Sequence, residues 1–188
     1  MNALVIIDLQ NDFMPGGALA VPGGDEIVPL INGLQENFDL VISTQDWHPS
    51  GHASFASSHE NKKEFEVIKL DGLDQVLWPE HCIQNSEGAE FHPDLNSSKI
   101  EAILRKGTDI KIDSYSGFYD NAHLKSTGLA GYLREKKVER IYFAGLAAEY
   151  CVYFSIMDAI SEGFECILIE DATRALDEGE FEMRELIF

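Results

Sequence analysis

The sequence predicts an α/β fold, a doubly wound parallel sheet with helices on both faces. Three observations carry that expectation. Short, continuous apolar runs recur along the chain, as in strands buried on both faces of a parallel sheet. Segments of helical periodicity alternate with them, the pattern of right-handed crossover units. Several runs lead into polar residues such as Asp8, Asp46 and Lys106, and open α/β sheets bind ligands beyond the carboxyl ends of their strands.

The first strand is expected over residues 3–7, a run rich in β-branched residues. A helix follows an Asp25 cap, with Ile27, Val28, Leu30, Ile31 and Leu34 at helical spacing and Pro29 and Gly33 interrupting it. The second strand covers 40–42 and leads into Ser43 and Thr44, and the third covers 100–104. A helix over 123–137 carries Leu124, Leu129, Tyr132 and Leu133 and ends in Arg134, Lys136 and Lys137. Those charges suit the negative end of a helix dipole. The fourth strand is 140–144, a helix over 149–161 stops at Gly163, and the fifth strand is 166–169. Phe181, Met183, Leu186, Ile187 and Phe188 read as the start of a last helix.

A length of 188 residues fits a single domain spanning 1–188. One stretch, about 45–98, departs from the alternation and reads as an insert after strand two. It has little periodicity, yet it holds Phe55, Trp47, Trp78, Phe91 and five of the six histidines. An ordered loop of that length is usually functional. With 14 Lys+Arg against 33 Asp+Glu, the net charge is −19, which excludes nucleic acid and anionic membrane surfaces as partners. No apolar run approaches the roughly 20 residues of a membrane span. The N-terminus lacks a cationic leader, and three cysteines make no disulfide framework. The expectation is a cytoplasmic protein with free thiols; a homo-oligomer stays open.

The chemistry-bearing residues gather at the strand ends. Asp8, Gln10, Asn11, Asp12 and Phe13 follow strand one; Asp46, Trp47 and His48 follow strand two; Arg105 and Lys106 follow strand three; Cys151 follows strand four. Asp46 and His48 can close on one cation in extended chain; the competing reading is a His-rich surface loop. His52, His59, His81 and His92 are further candidates, and Cys82 is a weaker one. Taken singly, Asp8 reads as a turn cap and Lys106 as a solvated charge. Cys151 falls in the first turn of a helix, where backbone N–H groups are expected to lower the thiol pKa and to supply oxyanion donors. Together they form an acid, a lysine and a nucleophile. Cys166 reads as structural. Arg105 is expected to point to the opposite face from Lys106.

The segments Ile7-Asp8-Leu9-Gln10-Asn11-Asp12-Phe13, Thr44-Gln45-Asp46-Trp47-His48-Pro49 and Leu77-Trp78-Pro79-Glu80-His81-Cys82 resemble the isochorismatase-like cysteine-hydrolase superfamily, nearest its nicotinamidase and pyrazinamidase members. Gly88 through Leu95, Lys106-Gly107, Asp113 through Phe118 and Gly145 through Val152 extend the likeness in family order. The resemblance implies the strand order 3-2-1-4-5 and hydrolysis of nicotinamide to nicotinate and ammonia in NAD salvage. It implies a catalytic triad of Asp8, Lys106 and Cys151. It assigns one divalent ion, zinc or iron, to Asp46, His48 and His81, with Ser54 at a fourth-ligand position. Phe13, Trp78 and Leu146 would bind the substrate. A cis Leu146-Ala147 peptide would aim the Ala147 N–H, with that of Cys151, at the oxyanion. Relatives continue past the last helix into a loop and a sixth strand, so a C-terminal strand is expected to be lacking.

Overall fold

Side chains alternate across a strand, so a strand buried on both faces must be apolar throughout. Asn2–Ile7 (β1) meets that requirement from Ala3 onward: Leu4 and Ile6 join one hydrophobic cluster, Ala3, Val5 and Ile7 another. The computed structural model describes residues 1–185. Leu186, Ile187 and Phe188, expected to continue the last helix, lie outside the described residues. The strands are β1, β2 (Leu40–Asp46), β3 (Val67–Leu70), β4 (Leu73–Val76), β5 (Ile100–Lys106), β6 (Arg140–Gly145) and β7 (Glu165–Thr173). Five of them form a parallel sheet in the order β5-β2-β1-β6-β7, the 3-2-1-4-5 order expected for the principal strands.

Helices cover both faces. Helix α1 (Ile27–Leu34) places Ile27, Val28 and Ile31 against Leu4 and Ile6. Helices α2 (Leu129–Glu135) and α3 (Tyr153–Ser161) place Leu129, Leu133, Ile156 and Ala159 against Val5 and Ile7. Helix α4 (Glu178–Glu185) follows β7. Pro29 is tolerated in α1 because it falls in the first turn, where its missing N–H has no intrahelical acceptor.

Three expectations need correction. Asp25 is not a side-chain cap; Glu26 precedes α1 and makes no cap bond, while the Asp25 carbonyl accepts from Val28 N–H at 3.3 Å. The helix expected over 123–137 starts only at Leu129, after Gly128 with φ +93°. The Asp120 carboxylate accepts from the N–H groups of Ala122, Leu124 and Lys125 and holds that stretch as a turn. The stretch after β2 contains the hairpin β3–β4, closed by Asp71 (φ +48°) and Gly72 (φ +89°). An Asp-Gly pair supplies the positive φ values a two-residue hairpin needs.

Register positions the site. In the β2–β5 ladder Asp46 lies beside Lys106, and in β1–β6 Ile7 lies beside Gly145. The residues after these strands therefore meet above the carboxyl edge. Gly145 is required there: its φ is +125°, and a Cβ would lie 2.1 Å from the Ile7 carbonyl oxygen.

Candidate active site

Lys106 is the last residue of β5, and its ammonium is buried. Its Nζ lies 2.9 Å from Asp8 Oδ2, 2.9 Å from Asp46 Oδ1, 3.0 Å from the Ser114 carbonyl oxygen and 3.3 Å from Cys151 Sγ. Asp8 leaves β1 with φ +48°, and Thr44 Oγ1 donates to its Oδ1 at 2.7 Å. The remaining oxygen, Oδ2, has only the ionic contact with Lys106 and no directed hydrogen bond. Its lone pairs are open to a proton. Cys151 belongs to a wide turn, Ala148–Val152, in which Val152 N–H reaches back five residues to the Ala147 carbonyl at 3.1 Å. Such turns are rare and cluster at functional sites.

Burial dominates the electrostatics. It works against the Lys106 ammonium, but Asp46 and Asp8 outweigh it and hold the pKa well above its ordinary value. Burial pushes Asp8 up, against the pull of Lys106. Asp46 is held well below the carboxylate range, because His48 and Lys106 overcome its burial. The Cys151 thiol is pushed well up by burial, which Lys106 offsets only in part. The expected lowering by a helix N-terminus is thus corrected: desolvation by burial raises the thiol more than the neighbouring Lys106 lowers it. Burial thus favours the thiol form of Cys151.

Asp46, His48 and His81 converge beside the triad. Asp46 Oδ2 lies 3.2 Å from His48 Nε2 and 3.5 Å from His81 Nε2. His48 Nδ1 is bonded to the Gly107 carbonyl at 3.1 Å, and His81 Nδ1 to the Pro79 carbonyl at 2.8 Å. Each ring is therefore oriented through one nitrogen and presents the other. His48 Nε2 is buried with no hydrogen-bond partner, an orphan that a cation satisfies. One carboxylate oxygen and two imidazole nitrogens, all within 4.8 Å, fit a divalent metal. Gln10 fixes Asp46 from the backbone: its amide donates to Asp46 O at 2.8 Å, and its carbonyl accepts from Asp46 N–H at 2.7 Å. Gly107 makes room, since a Cβ there would lie 2.5 Å from His48 Cε1.

A cavity of about 330 Å³, mouth included, opens onto Asp46, His81 and Cys151. Phe13, Trp78, Tyr115 and Tyr150 line it with Leu19, Leu176, Asp113 and Ala147. Trp78 and Tyr150 meet edge to face at 4.9 Å. Aromatic and aliphatic walls thus enclose the space onto which Asp46, His81 and Cys151 open.

Comparison with known proteins agrees. Residues 2–186 match the model of the isochorismatase domain. The chain belongs to the isochorismatase domain family. Within it the chain lies in the nicotinamidase/pyrazinamidase branch. It is 47% identical over 175 residues to the nicotinamidase of Acinetobacter baylyi, covering 93% of this chain and 82% of the relative. The solved nicotinamidase/pyrazinamidase of Acinetobacter baumanii superposes with a TM-score of 0.96 at 48% identity, over 99% of this chain and 90% of the other. The pyrazinamidase of Pyrococcus horikoshii, solved in complex with zinc, superposes with a TM-score of 0.80 at 37% identity, over 99% and 93%.

Two residues of this isochorismatase-family chain sit differently from the expectation. The Leu146 side chain does not line the cavity; it is fully buried in the core cluster beside α1, with a methyl close over Gly24. The Leu146-Ala147 peptide is cis, as expected, and Ala147 is the one that faces the cavity. The Ser54 hydroxyl is within 2.8 Å of His52 Nδ1, so it orients His52. His52 Nε2 is buried without a partner, and His52 groups with His48 and Asp113. Arg105 points away from Lys106, as expected, with its guanidinium 3.8 Å from the centre of the Trp47 ring. Cys82 is buried, with its N–H on Asp12 Oδ2 at 2.7 Å. Cys166 lies on β7, with burial raising its thiol to about 12. Neither touches the cavity. Tyr115, Tyr150, Leu19 and Leu176 line the cavity without having been expected as walls. Among the described residues no helix is long and apolar enough to cross a membrane.

Proposed function

We propose that Cys151, Asp8 and Lys106 divide the work of amide hydrolysis, with nicotinamide and water converted to nicotinate and ammonia. The observation that carries this is the Lys106 ammonium set between Asp8 Oδ2 and Cys151 Sγ. Asp8 takes the thiol proton, and Lys106 steadies the charge on both. Sγ attacks the amide carbon, and the oxyanion rests on the N–H groups of Ala147 and Cys151. Asp8 returns its proton to the amide nitrogen, the C–N bond breaks and ammonia leaves. Asp8 then deprotonates water, which attacks the thioester; the carboxylic product departs and the thiol is restored. The raised pKa of Asp8 suits a group that must both take and give a proton.

Phe13 and Trp78, with Tyr115, hold the ring in the slot. The set of Asp46, His48 and His81 is proposed to hold zinc, supported by its two imidazole nitrogens and one carboxylate oxygen and by the zinc complex of the Pyrococcus pyrazinamidase. When bound, the ion supplies a Lewis-acid contact for the ring nitrogen. His52 groups with His48 and Asp113 rather than with Asp46 and His81, and Ser54 bonds to it. The testing experiment is ammonia release from nicotinamide by the purified chain, with metal content measured on the same sample. Stoichiometric metal and turnover are expected. Metal-replete protein without ammonia release would overturn the reading.

A further inference from the structure

Glu149 is a buried carboxylate that the chemistry above does not use. It stands two residues before Cys151 in the same wide turn. Burying a carboxylate is costly unless hydrogen bonds replace its water. Here the replacements come from a distant part of the chain. Glu149 Oε1 accepts from Asp177 N–H at 2.8 Å and Oε2 from Leu176 N–H at 3.2 Å. One residue earlier, Ala148 N–H donates to the Arg174 carbonyl at 2.9 Å, and Arg174 N–H donates to the Gly145 carbonyl at 3.3 Å. The strand-to-helix segment after β7 is thereby stitched onto the turn that carries the nucleophile. That segment presents Leu176 to the cavity, in the same lining as Cys151 and Leu19.

We infer that Glu149 is a positioning residue that holds Leu176 in place as a size-limiting wall of the active-site slot. The proposal rests on the amide-hydrolysis reading of the site. Leu176 makes no main-chain bond within the sheet or α4; its N–H goes to Glu149. The direct polar anchor of the wall is thus the Glu149 side chain, beside the packing of Leu176 on the core and the main-chain bonds of Arg174. Both carboxylate oxygens are occupied, so the anchor is specific to a carboxylate. In Glu149→Gln an amide NH₂ would face a backbone N–H, and one bond becomes a donor–donor clash. With the anchor gone, Leu176 swings out, the slot widens and the ring is gripped less firmly. The reacting groups Cys151, Asp8 and Lys106 are held by other partners.

The experiment compares wild type with Glu149→Gln, Glu149→Ala, Leu176→Ala and the Glu149→Ala/Leu176→Ala double variant. Two readouts are taken: kcat and KM for nicotinamide, and the rates at which Cys151 is modified by iodoacetamide and by a bulky N-arylmaleimide. Each variant is expected to raise KM about tenfold, with kcat within about threefold. Each should also raise the bulky-to-small reagent ratio about tenfold, and the double variant should go little further than either alone. An unchanged reagent ratio in folded Glu149→Gln overturns the proposal, as does a fall in kcat at constant KM. If Glu149→Ala fails to fold, Glu149→Gln and Leu176→Ala still decide. The reagent ratio needs no turnover. Failure of wild type to release ammonia would strike the reaction and leave the wall to be judged separately.

Discussion

Asp46 and Lys106 face each other across neighbouring strands, with Oδ1 and Nζ 2.9 Å apart, while the other Asp46 oxygen faces two histidines. A single carboxylate thus joins the two histidines proposed to share a metal with it to the lysine beside Cys151. The parallel register that pairs these two residues makes the join a property of the sheet. The site behaves as one charged network, buried at the carboxyl edge.

Lys106→Met should remove the cation that lets Asp8 and the thiolate share the slot. Turnover is expected to fall at least about 10³-fold, in the range of losing a charged acid–base partner. Two buried carboxylates lose their counterion, so stability should drop by about 3–5 kcal/mol, read as a lower melting temperature. Lys106→Arg should not rescue, because a planar fork does not fit where one ammonium meets four partners. Activity near wild type in either variant contradicts this assignment.

Cys151 should react slowly with iodoacetamide at neutral pH, slower than a cysteine in the unfolded chain. The sign follows from its raised pKa: below that pKa the thiolate is the minor form, and its fraction grows about tenfold for each pH unit. Lys106→Met removes the group that lowers this pKa and should push the profile further to alkaline pH. Rate against pH, with the labelled residue identified by mass spectrometry, is the measurement.

Asp46→Ala and His81→Ala should each weaken zinc binding at least about 100-fold, and the Asp46→Ala/His48→Ala/His81→Ala variant should retain no stoichiometric metal. Removing the ion with a chelator should raise KM for nicotinamide more than it slows alkylation of Cys151. Metal retained in the triple variant, measured by elemental analysis, contradicts the assignment.

Gly107→Ala should lose about 1–3 kcal/mol of stability, since φ is +65° and the new Cβ would press on the His48 ring. Zinc affinity should fall with it, because the same ring carries a ligand. Thermal melts with and without added zinc separate the two effects.

Much of this arrangement was legible in the residues. The apolar runs before Asp8, Asp46 and Lys106 mark three strands, and the rule that ligands gather at strand ends places those residues together. Taken singly, Asp8 and Lys106 looked ordinary; their meaning came from convergence. Other features depend on contacts that leave little local trace. Leu176 lines the slot because Glu149 reaches across 27 positions to hold it, and no periodicity records that. The thiol of Cys151 is raised because of enclosure by the whole fold, whereas its place in a turn suggested the reverse. The hairpin Val67–Val76 did leave a signal in Asp71-Gly72, masked by the exposed Val67 and Leu73, which blur the alternation expected of a strand.

Cys151 is proposed to carry the acyl group. Protein mixed with nicotinamide and quenched in acid within the first turnover should show a nicotinoyl adduct on the Cys151 peptide by mass spectrometry, and Cys151→Ala should show neither adduct nor ammonia. Ammonia release by Cys151→Ala near the wild-type rate would contradict the account.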